Sequence, residues 1–121
     1  MTRLAILCVF LGGVAAFSQT ANPAAPSNPK ELFGKRCGGC HALDRDKEGP
    51  RLGGVYGRPA GSIDSFTYSD ALKKAGITWN ADTLEKWLTD PEKFLPGSTM
   101  PMRVINADER AVLIDYLKSM K

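Results

Sequence analysis

The chain has few of the residues that build most metal and disulfide sites. Its 121 residues include three cysteines and a single histidine, whereas a structural zinc site normally needs four cysteine or histidine ligands. Because Cys8 lies in an N-terminal segment that we expect to be removed, only three such side chains remain, and zinc is disfavoured. The net charge is only +3 and no basic stripe is interleaved with aromatic residues, so we expect no nucleic-acid partner.

Strand signals and internal repeats are also missing. No segment alternates apolar and polar residues convincingly, while several place apolar residues at helical spacing. Glu31 and Glu109 follow two helix-starting asparagines at the spacing of a capping box, Pro91 should end a helix, and residues 94–102 read as a fixed loop. The sequence therefore predicts an all-α fold of three to five helices with long ordered loops. Four helix starts or ranges are predicted: Asn28, residues 70–75, Asn80 and Asn106.

Long hydrophobic runs are absent apart from one at the beginning of the chain. That run follows Arg3 and ends in small residues at Ser18, which is typical of a secretory signal peptide and is predicted over residues 1–18. An uncleaved membrane anchor is the alternative, although the run is shorter than the ~20 residues that span a bilayer. Residues 19–28 read as a flexible Pro/Ala-rich leader, and residues 29–121 as one domain.

The predicted domain is small, and its glycines and prolines are plentiful. Domains of this size often depend on a disulfide, a metal or a cofactor for stability. The Gly- and Pro-rich loop over residues 49–62 must be ordered by something against which it packs. We therefore expect that something beyond side chains fills the middle of the domain.

The motif CGGCH at residues 37–41 is the strongest chemical signal in the sequence. The thiols of Cys37 and Cys40 lie about one helical turn apart and can each add to a haem vinyl group, and the imidazole of His41 can then bind the iron. A redox disulfide is the alternative, but a thioredoxin-like motif should follow a strand of a βαβ unit, which is missing. The motif favours covalent haem attachment.

A second protein ligand to the iron cannot be histidine, because the only histidine is already used. Methionine sulfur is the usual partner of histidine and raises the reduction potential. Met1 leaves with the signal peptide, and Met120 belongs to the apolar stripe of the last helix. Met100 and Met102 remain, and spacing alone does not choose between them.

Several motifs together make the chain similar to a known family over nearly the whole folded region. Phe33 lies four residues before Cys37, and the further motifs follow in the family's order. The chain resembles the class I c-type cytochromes, in particular their mitochondrial and bacterial c2-type branch. The resemblance implies the cytochrome c fold and one haem c per chain, bound covalently through Cys37 and Cys40. The motifs are CGGCH, GPRLGGVYGR, FTYSDA, GITW, TLEKWLTDP and PGSTM.

The resemblance also assigns roles around the haem. PGSTM corresponds to the family's ligand loop, so the iron ligands would be His41 and Met100, and the carbonyl of Pro50 would accept a hydrogen bond from the ring of His41. A buried carboxylate is costly unless it is paired or hydrogen-bonded, and the family meets that need for the haem propionates with conserved side chains. The corresponding residues here are Arg58, Tyr68 and Trp79, with Ser98 as a further candidate.

Two positions depart from the family pattern. Trp87 stands where the family usually has a tyrosine near the methionine sulfur, and Leu72 stands where many members have an asparagine. Indole N–H can still donate a hydrogen bond, whereas a leucine side chain cannot. We expect a drier haem interior that disfavours the extra positive charge of Fe(III) and raises the potential.

An iron with two protein ligands has no open position for a substrate, so we expect an electron carrier that cycles Fe(III)/Fe(II) and is not an enzyme. The alternatives are a dedicated or membrane-tethered cytochrome subunit of a dehydrogenase or oxidase, and a haem enzyme or gas sensor from which Met100 dissociates. The export signal implies a bacterial periplasm.

Redox partner proteins would dock at the exposed haem edge. The family's basic ring corresponds here to Lys35, Arg36, Lys93 and Arg103, but neighbouring acids dilute it, so electrostatic steering should be weak. We expect a monomer that contacts a membrane only through partners or an uncleaved leader.

Overall fold

The computed structural model describes residues 28–121. The predicted signal peptide and nearly all of the leader lie outside these residues, so both stay predictions. Between residues 28 and 121 the chain forms five helices and, in place of strands, one isolated bridge between Pro59 and Thr78. None of these helices is long and apolar enough to cross a bilayer. The helices are α1 (Pro29–Arg36), α2 (Asp70–Lys73), α3 (Ala81–Thr89), α4 (Pro91–Phe94) and α5 (Ala107–Ser119).

Three helices begin at the predicted caps, whose side chains accept backbone N–H groups of the first turn: Asn28, Asn80 and Asn106. In residues 28–121 the reciprocal capping box forms at α3, where the Thr83 hydroxyl accepts the Asn80 N–H at 2.8 Å. The predicted box of α5 does not form, because Glu109 accepts two hydrogen bonds from Arg36 of α1 at 2.7 and 2.9 Å. Glu109 therefore joins the first helix to the last instead of capping its own helix.

The two shortest helices differ from the prediction. α2 ends at Lys73, two residues before the predicted end. Pro91 ends α3 as predicted but also begins α4, a single turn that the sequence pattern did not indicate. Proline suits the first helical position because its fixed φ is helical and its missing N–H would be unpaired there. Asp90 caps this turn by accepting the Lys93 N–H at 3.1 Å.

The apolar core lies where α5 packs against both α1 and α3. Leu113 of α5 is completely buried, and Phe33 of α1 contacts Tyr116 of α5 with ring centroids 5.5 Å apart. Trp79 and Trp87 lie 5.3 Å apart in the same cluster. This packing closes one side of the domain, while the long loops over residues 37–69 and 95–106 enclose a cavity on the other.

Candidate functional site

A cavity of about 440 Å³ lies between the loops and the faces of α3 and α5. This volume is within the ~300–1,000 Å³ range of ligand-binding pockets. The wall is largely apolar, and it includes eight of the nine side chains that the sequence analysis singled out for a cofactor. Those eight are Cys37, Cys40, His41, Pro50, Arg58, Tyr68, Trp79 and Met100.

The first part of the cavity wall is the segment that comes directly after α1 in the sequence. Cys37 caps that helix, and its carbonyl accepts the N–H groups of Cys40 at 3.1 Å and His41 at 2.9 Å. The tight turn brings both cysteines and the histidine to the cavity. Burial raises the pKa of the Cys37 thiol to about 11, so this thiol stays protonated and lacks the thiolate character of a redox-active cysteine.

The imidazole of His41 is fixed by its own loop. Its Nδ1 donates a hydrogen bond to the Pro50 carbonyl at 2.7 Å, as the resemblance implied. Burial, the largest influence, lowers the pKa of His41, which favours the neutral ring. A neutral ring with its proton on Nδ1 leaves the Nε2 lone pair free to bind a metal. Gly49 permits this placement, because a Cβ atom there would overlap the His41 ring.

The methionine loop supplies another part of the wall. Both Met100 and Met102 line the cavity, and Met100 also packs against the apolar core. Trp87 of α3 and Leu72 of α2, the two departures from the family pattern, line the same cavity. The structure therefore brings a thioether sulfur to the space that His41 also borders.

A third part of the wall combines a partly buried cation, Arg58, with two buried aromatic side chains. Trp79 donates its backbone N–H to the Arg58 carbonyl at 3.0 Å, and Tyr68 and Trp79 are only 8% and 7% exposed. The guanidinium donates to the carbonyls of Gly53 at 3.2 Å and Arg51 at 2.8 Å. Partial burial lowers the pKa of Arg58, yet an arginine remains charged, and removing a cation from water is costly unless an anion or a hydrogen-bond acceptor compensates it.

Ser98 is the one candidate that does not line this cavity. It borders a separate groove beside Met100, and its hydroxyl oxygen is buried without a hydrogen-bond partner among the described residues. Buried polar atoms in proteins nearly always have a partner. A buried hydroxyl with unused hydrogen-bonding capacity next to the cavity fits a cofactor that carries carboxylates.

Comparisons with known proteins agree with this arrangement. A family model described as cytochrome c matches residues 27–121. The chain belongs to the cytochrome c family. It is 44% identical over 91 residues to a cytochrome c of Gibberella zeae, a match that covers 72% of this chain and 86% of the relative. It is 43% identical over 88 residues to cytochrome c2 iso-2 of Magnetospirillum molischianum, covering 70% and 91% of the two chains.

The fold is also similar to a solved structure. Cytochrome cH from Methylobacterium extorquens aligns with a TM-score of 0.71 and 38% identity, over 75% of this chain and 94% of that one. The predicted all-α cytochrome c fold and the predicted family are thus confirmed. Membership of the cytochrome c family implies a covalently bound haem c and the function of an electron carrier.

The residues of the cavity fit a haem c. Two thiols and one imidazole lie on one short segment, a thioether lies on another, and the partly buried guanidinium of Arg58 and the Ser98 hydroxyl are available for carboxylates. The remaining wall is largely apolar, which suits a porphyrin ring.

Some residues of the wall were not found from the sequence. Val55 and Phe66 line the cavity from irregular loops, where no periodic pattern marks an inward-facing position. Glu48 also borders it, with a carboxylate oxygen 3.7 Å from the Cys40 sulfur. By contrast, Leu84 of α3 and Leu117 of α5 were visible beforehand as parts of helical apolar stripes.

Proposed function

We propose that the protein is a mono-haem electron carrier in which Cys37 and Cys40 would bind the haem covalently and His41 and Met100 would bind its iron. The observation that carries this proposal is a single cavity bordered by the CGGCH segment and by Met100. The haem iron supplies a one-electron couple, Fe(III)/Fe(II). If both His41 and Met100 bind the iron, no position would be left for a substrate, which favours a carrier over an enzyme.

The chain's own residues keep this couple in a fixed, dry environment. The Pro50 carbonyl orients His41 and increases the electron donation of its ring, a common role of partners behind metal ligands. Apolar side chains of α3 and α5 exclude water from the cavity, so little reorganisation accompanies each change of charge. Methionine is a weaker donor than histidine and stabilises Fe(II), which sets a higher potential.

The haem carboxylates have candidate partners in this chain. Arg58 offers a partly buried positive charge, and the buried side chains of Tyr68 and Trp79 offer an O–H and an N–H donor in the same cavity wall. Ser98 has a free buried hydroxyl in the adjoining groove. We propose that these four residues bind the propionates, which would relieve the cost of burying both the carboxylates and the guanidinium.

Redox partners would dock where the cavity reaches the surface, at the exposed residues Cys40, Thr99 and Pro101. The two arginines expected to form a basic ring are paired with acids, since Arg36 binds Glu109 and Arg103 lies 3.4 Å from Asp90. Paired charges attract a distant partner weakly. We therefore propose docking through close apolar contact, with little electrostatic steering.

Export to a bacterial periplasm, as a monomer, is part of the same proposal. Its support is the signal-like pattern of residues 1–18, which lie outside the described residues. Mass spectrometry of the protein from its native host would test it: cleavage near Ser18 supports a free carrier, whereas an intact N-terminus in the membrane fraction would favour the tethered subunit.

Optical spectra and a redox titration of the purified protein, expressed with a haem-attachment system, test the carrier function. We expect a reversible one-electron couple, a Met–Fe(III) charge-transfer band and slow carbon monoxide binding by the reduced protein. Rapid carbon monoxide binding at neutral pH together with a missing band would overturn the carrier in favour of an enzyme or sensor.

A further inference from the structure

The loop that carries Met100 is held by few bonds of its own backbone. Among the described residues, the backbone hydrogen bonds nearest to Met100 are those of the Ser98 N–H to Leu95 at 3.1 Å and of the Val104 N–H to Leu88 at 2.8 Å. The N–H groups between them make no such bond within residues 28–121. Side chains must therefore fix the position of the methionine.

Two acids at the beginning of α4 contact this loop on either side of Met100. Glu92 accepts the Gly97 N–H with both carboxylate oxygens, at 3.1 and 3.3 Å. Asp90 places its Oδ2 atom 3.4 Å from the Arg103 guanidinium. Gly97 lies three residues before the methionine and Arg103 three residues after it, so the two acids hold both arms of the loop.

The base of this arrangement is rigid. Pro91, between the two acids, is almost completely buried, and Asp90 also caps α4. The acids and both contacted arms border one groove of about 270 Å³, which Met100 also lines. Gly97 has a φ of +86°, a conformation that favours glycine, so the turn held by Glu92 is sharply defined.

We infer that Asp90 and Glu92 are positioning residues that hold Met100 at the iron. The inference rests on the proposed function, because it assumes that Met100 is the ligand. Glu92 acts through the Gly97 amide and Asp90 through Arg103, so neither acid touches the cofactor. Loss of either contact should free one arm of the loop and raise the fraction of protein from which the methionine has dissociated.

The main experiment compares Glu92→Ala with Glu92→Gln, which keeps an acceptor oxygen, and with Asp115→Ala, an exposed acid of α5 that borders neither cavity. One readout is hydrogen exchange of the Gly97 amide, measured by NMR. The other is the pH and temperature at which the Met–Fe(III) band is lost, relative to global unfolding followed by far-ultraviolet circular dichroism.

For Glu92→Ala we expect about fivefold faster Gly97 exchange and about a fivefold larger fraction of protein without the band, the size of one ordinary hydrogen bond at an exposed site. Glu92→Gln should recover most of both effects, and Asp115→Ala should match the wild type. Asp90→Asn keeps the cap but loses the ion pair, and we expect about a twofold effect on the band.

The inference would be overturned if Glu92→Ala behaved like Asp115→Ala, or if the band and global unfolding shifted together by the same amount. It would also be overturned if Glu92→Gln were as impaired as Glu92→Ala. A wild-type protein without any Met–Fe(III) band is a different result, because it contradicts the proposed ligand Met100 itself. If Glu92→Ala does not fold, Asp90→Asn and Glu92→Gln still decide the question.

Discussion

The two segments that carry the proposed iron ligands are built in different ways. The histidine segment, residues 37–50, is fixed by its own backbone and by nearby groups: the Gly49 N–H donates to the Cys40 carbonyl at 2.8 Å, and His41 binds Pro50. The methionine segment, residues 97–105, is held mainly by side chains of α4 and α5. Local backbone bonds form with the segment itself, whereas side-chain contacts depend on the packing of the whole domain.

This difference implies that the methionine side should yield first under stress. Covalent attachment through the two cysteines would add to the stability of the histidine segment, because a crosslink restricts the unfolded chain. Local opening in proteins occurs where few buried contacts and backbone bonds hold a segment. The predictions below test this asymmetry, beginning with the largest expected effect.

Replacing the ligand itself should separate Met100 from Met102. Met100→Ala should abolish the Met–Fe(III) band and lower the potential by on the order of 0.1 V or more, within the ~0.8 V over which axial ligands tune haem. Met102→Ala should keep the band with a small change in potential. Optical titration of both variants gives the answer, and a band lost only in Met102→Ala would show that the ligand had been assigned wrongly.

Arg110 should matter most to the stability of the methionine side. Its side chain is 12% exposed and donates to Glu85 at 2.6 Å and to the Val104 and Ile105 carbonyls at 2.8 Å. Because the Arg110→Ala variant loses three charge-assisted hydrogen bonds, we expect its free energy of unfolding to fall by about 2–3 kcal/mol.

Chemical denaturation measures this effect, and Lys86→Ala is the matched control. Lys86 makes an exposed ion pair with Asp82 within α3, which is worth at most about 0.5 kcal/mol. Equal losses in the two variants would contradict a special role for Arg110.

The contact between α1 and α5 should depend on pH. Arg36 holds the pKa of Glu109 below its ordinary value of 4.5, chiefly through their hydrogen bonds. A carboxyl group with a lowered folded pKa stabilises the protein above the unfolded pKa and loses that contribution as pH falls through the folded pKa. Glu109→Gln should therefore be less stable than wild type at pH 7, by about 1 kcal/mol, and the gap should close below pH 4.5.

Denaturation curves at several pH values check this expectation. The control is Glu31→Gln, since Glu31 makes no ion pair within residues 28–121. If wild type remained more stable than Glu109→Gln at low pH, the ion pair could not be the source of the difference in stability.

Leu72 lines the cavity, so a polar side chain at this position should make the interior of the cavity more polar. An amide in place of the leucine would stabilise the extra positive charge of Fe(III), so Leu72→Asn should lower the potential by about 20–40 mV, equivalent to about 0.5–1 kcal/mol for one electron. Leu72→Met, which conserves volume, should leave it unchanged. A potential that rises or stays constant in Leu72→Asn would count against the dry-interior hypothesis.

The smallest expected effect is that of salt on electron transfer. The formal charge of +3 becomes +2 without Arg3, and two propionates would bring it near zero. Oxidation of the reduced protein by anionic cyanide complexes and by cationic ammine complexes should each change less than about threefold over a tenfold range of ionic strength.

Adding a positive charge beside the cavity tests whether the compensated surface charge is the reason for the weak salt dependence. Glu48→Lys should make the reaction with the anionic oxidant salt-dependent, with the rate falling as salt is added. If the oxidation rate of the wild-type protein already depended strongly on salt, the proposal that its surface charges compensate one another would be wrong.

Much of the fold could be predicted because its signals are local. Asparagine caps at residues 28, 80 and 106 and apolar stripes at helical spacing marked the three longest helices. α4 was missed because Pro91 reads as the end of a helix, and only the Asp90 cap and the buried surroundings of the proline allow another turn. Loop residues such as Phe66 carry no periodic signal, so their place in the cavity wall could not be predicted.

The sequence by itself determined the chemistry of the site, because the CGGCH motif places two thiols and an imidazole within about one turn of chain. The tertiary structure alone decided which side chains hold that chemistry in place. Glu109 joins α1 rather than its own cap, Ser98 borders a separate groove, and Glu92 holds the Gly97 amide. Arg36, the partner of Glu109, lies 73 residues away in the sequence. All three placements depend on how the loops and helices pack, and the local sequence contains no pattern for that packing.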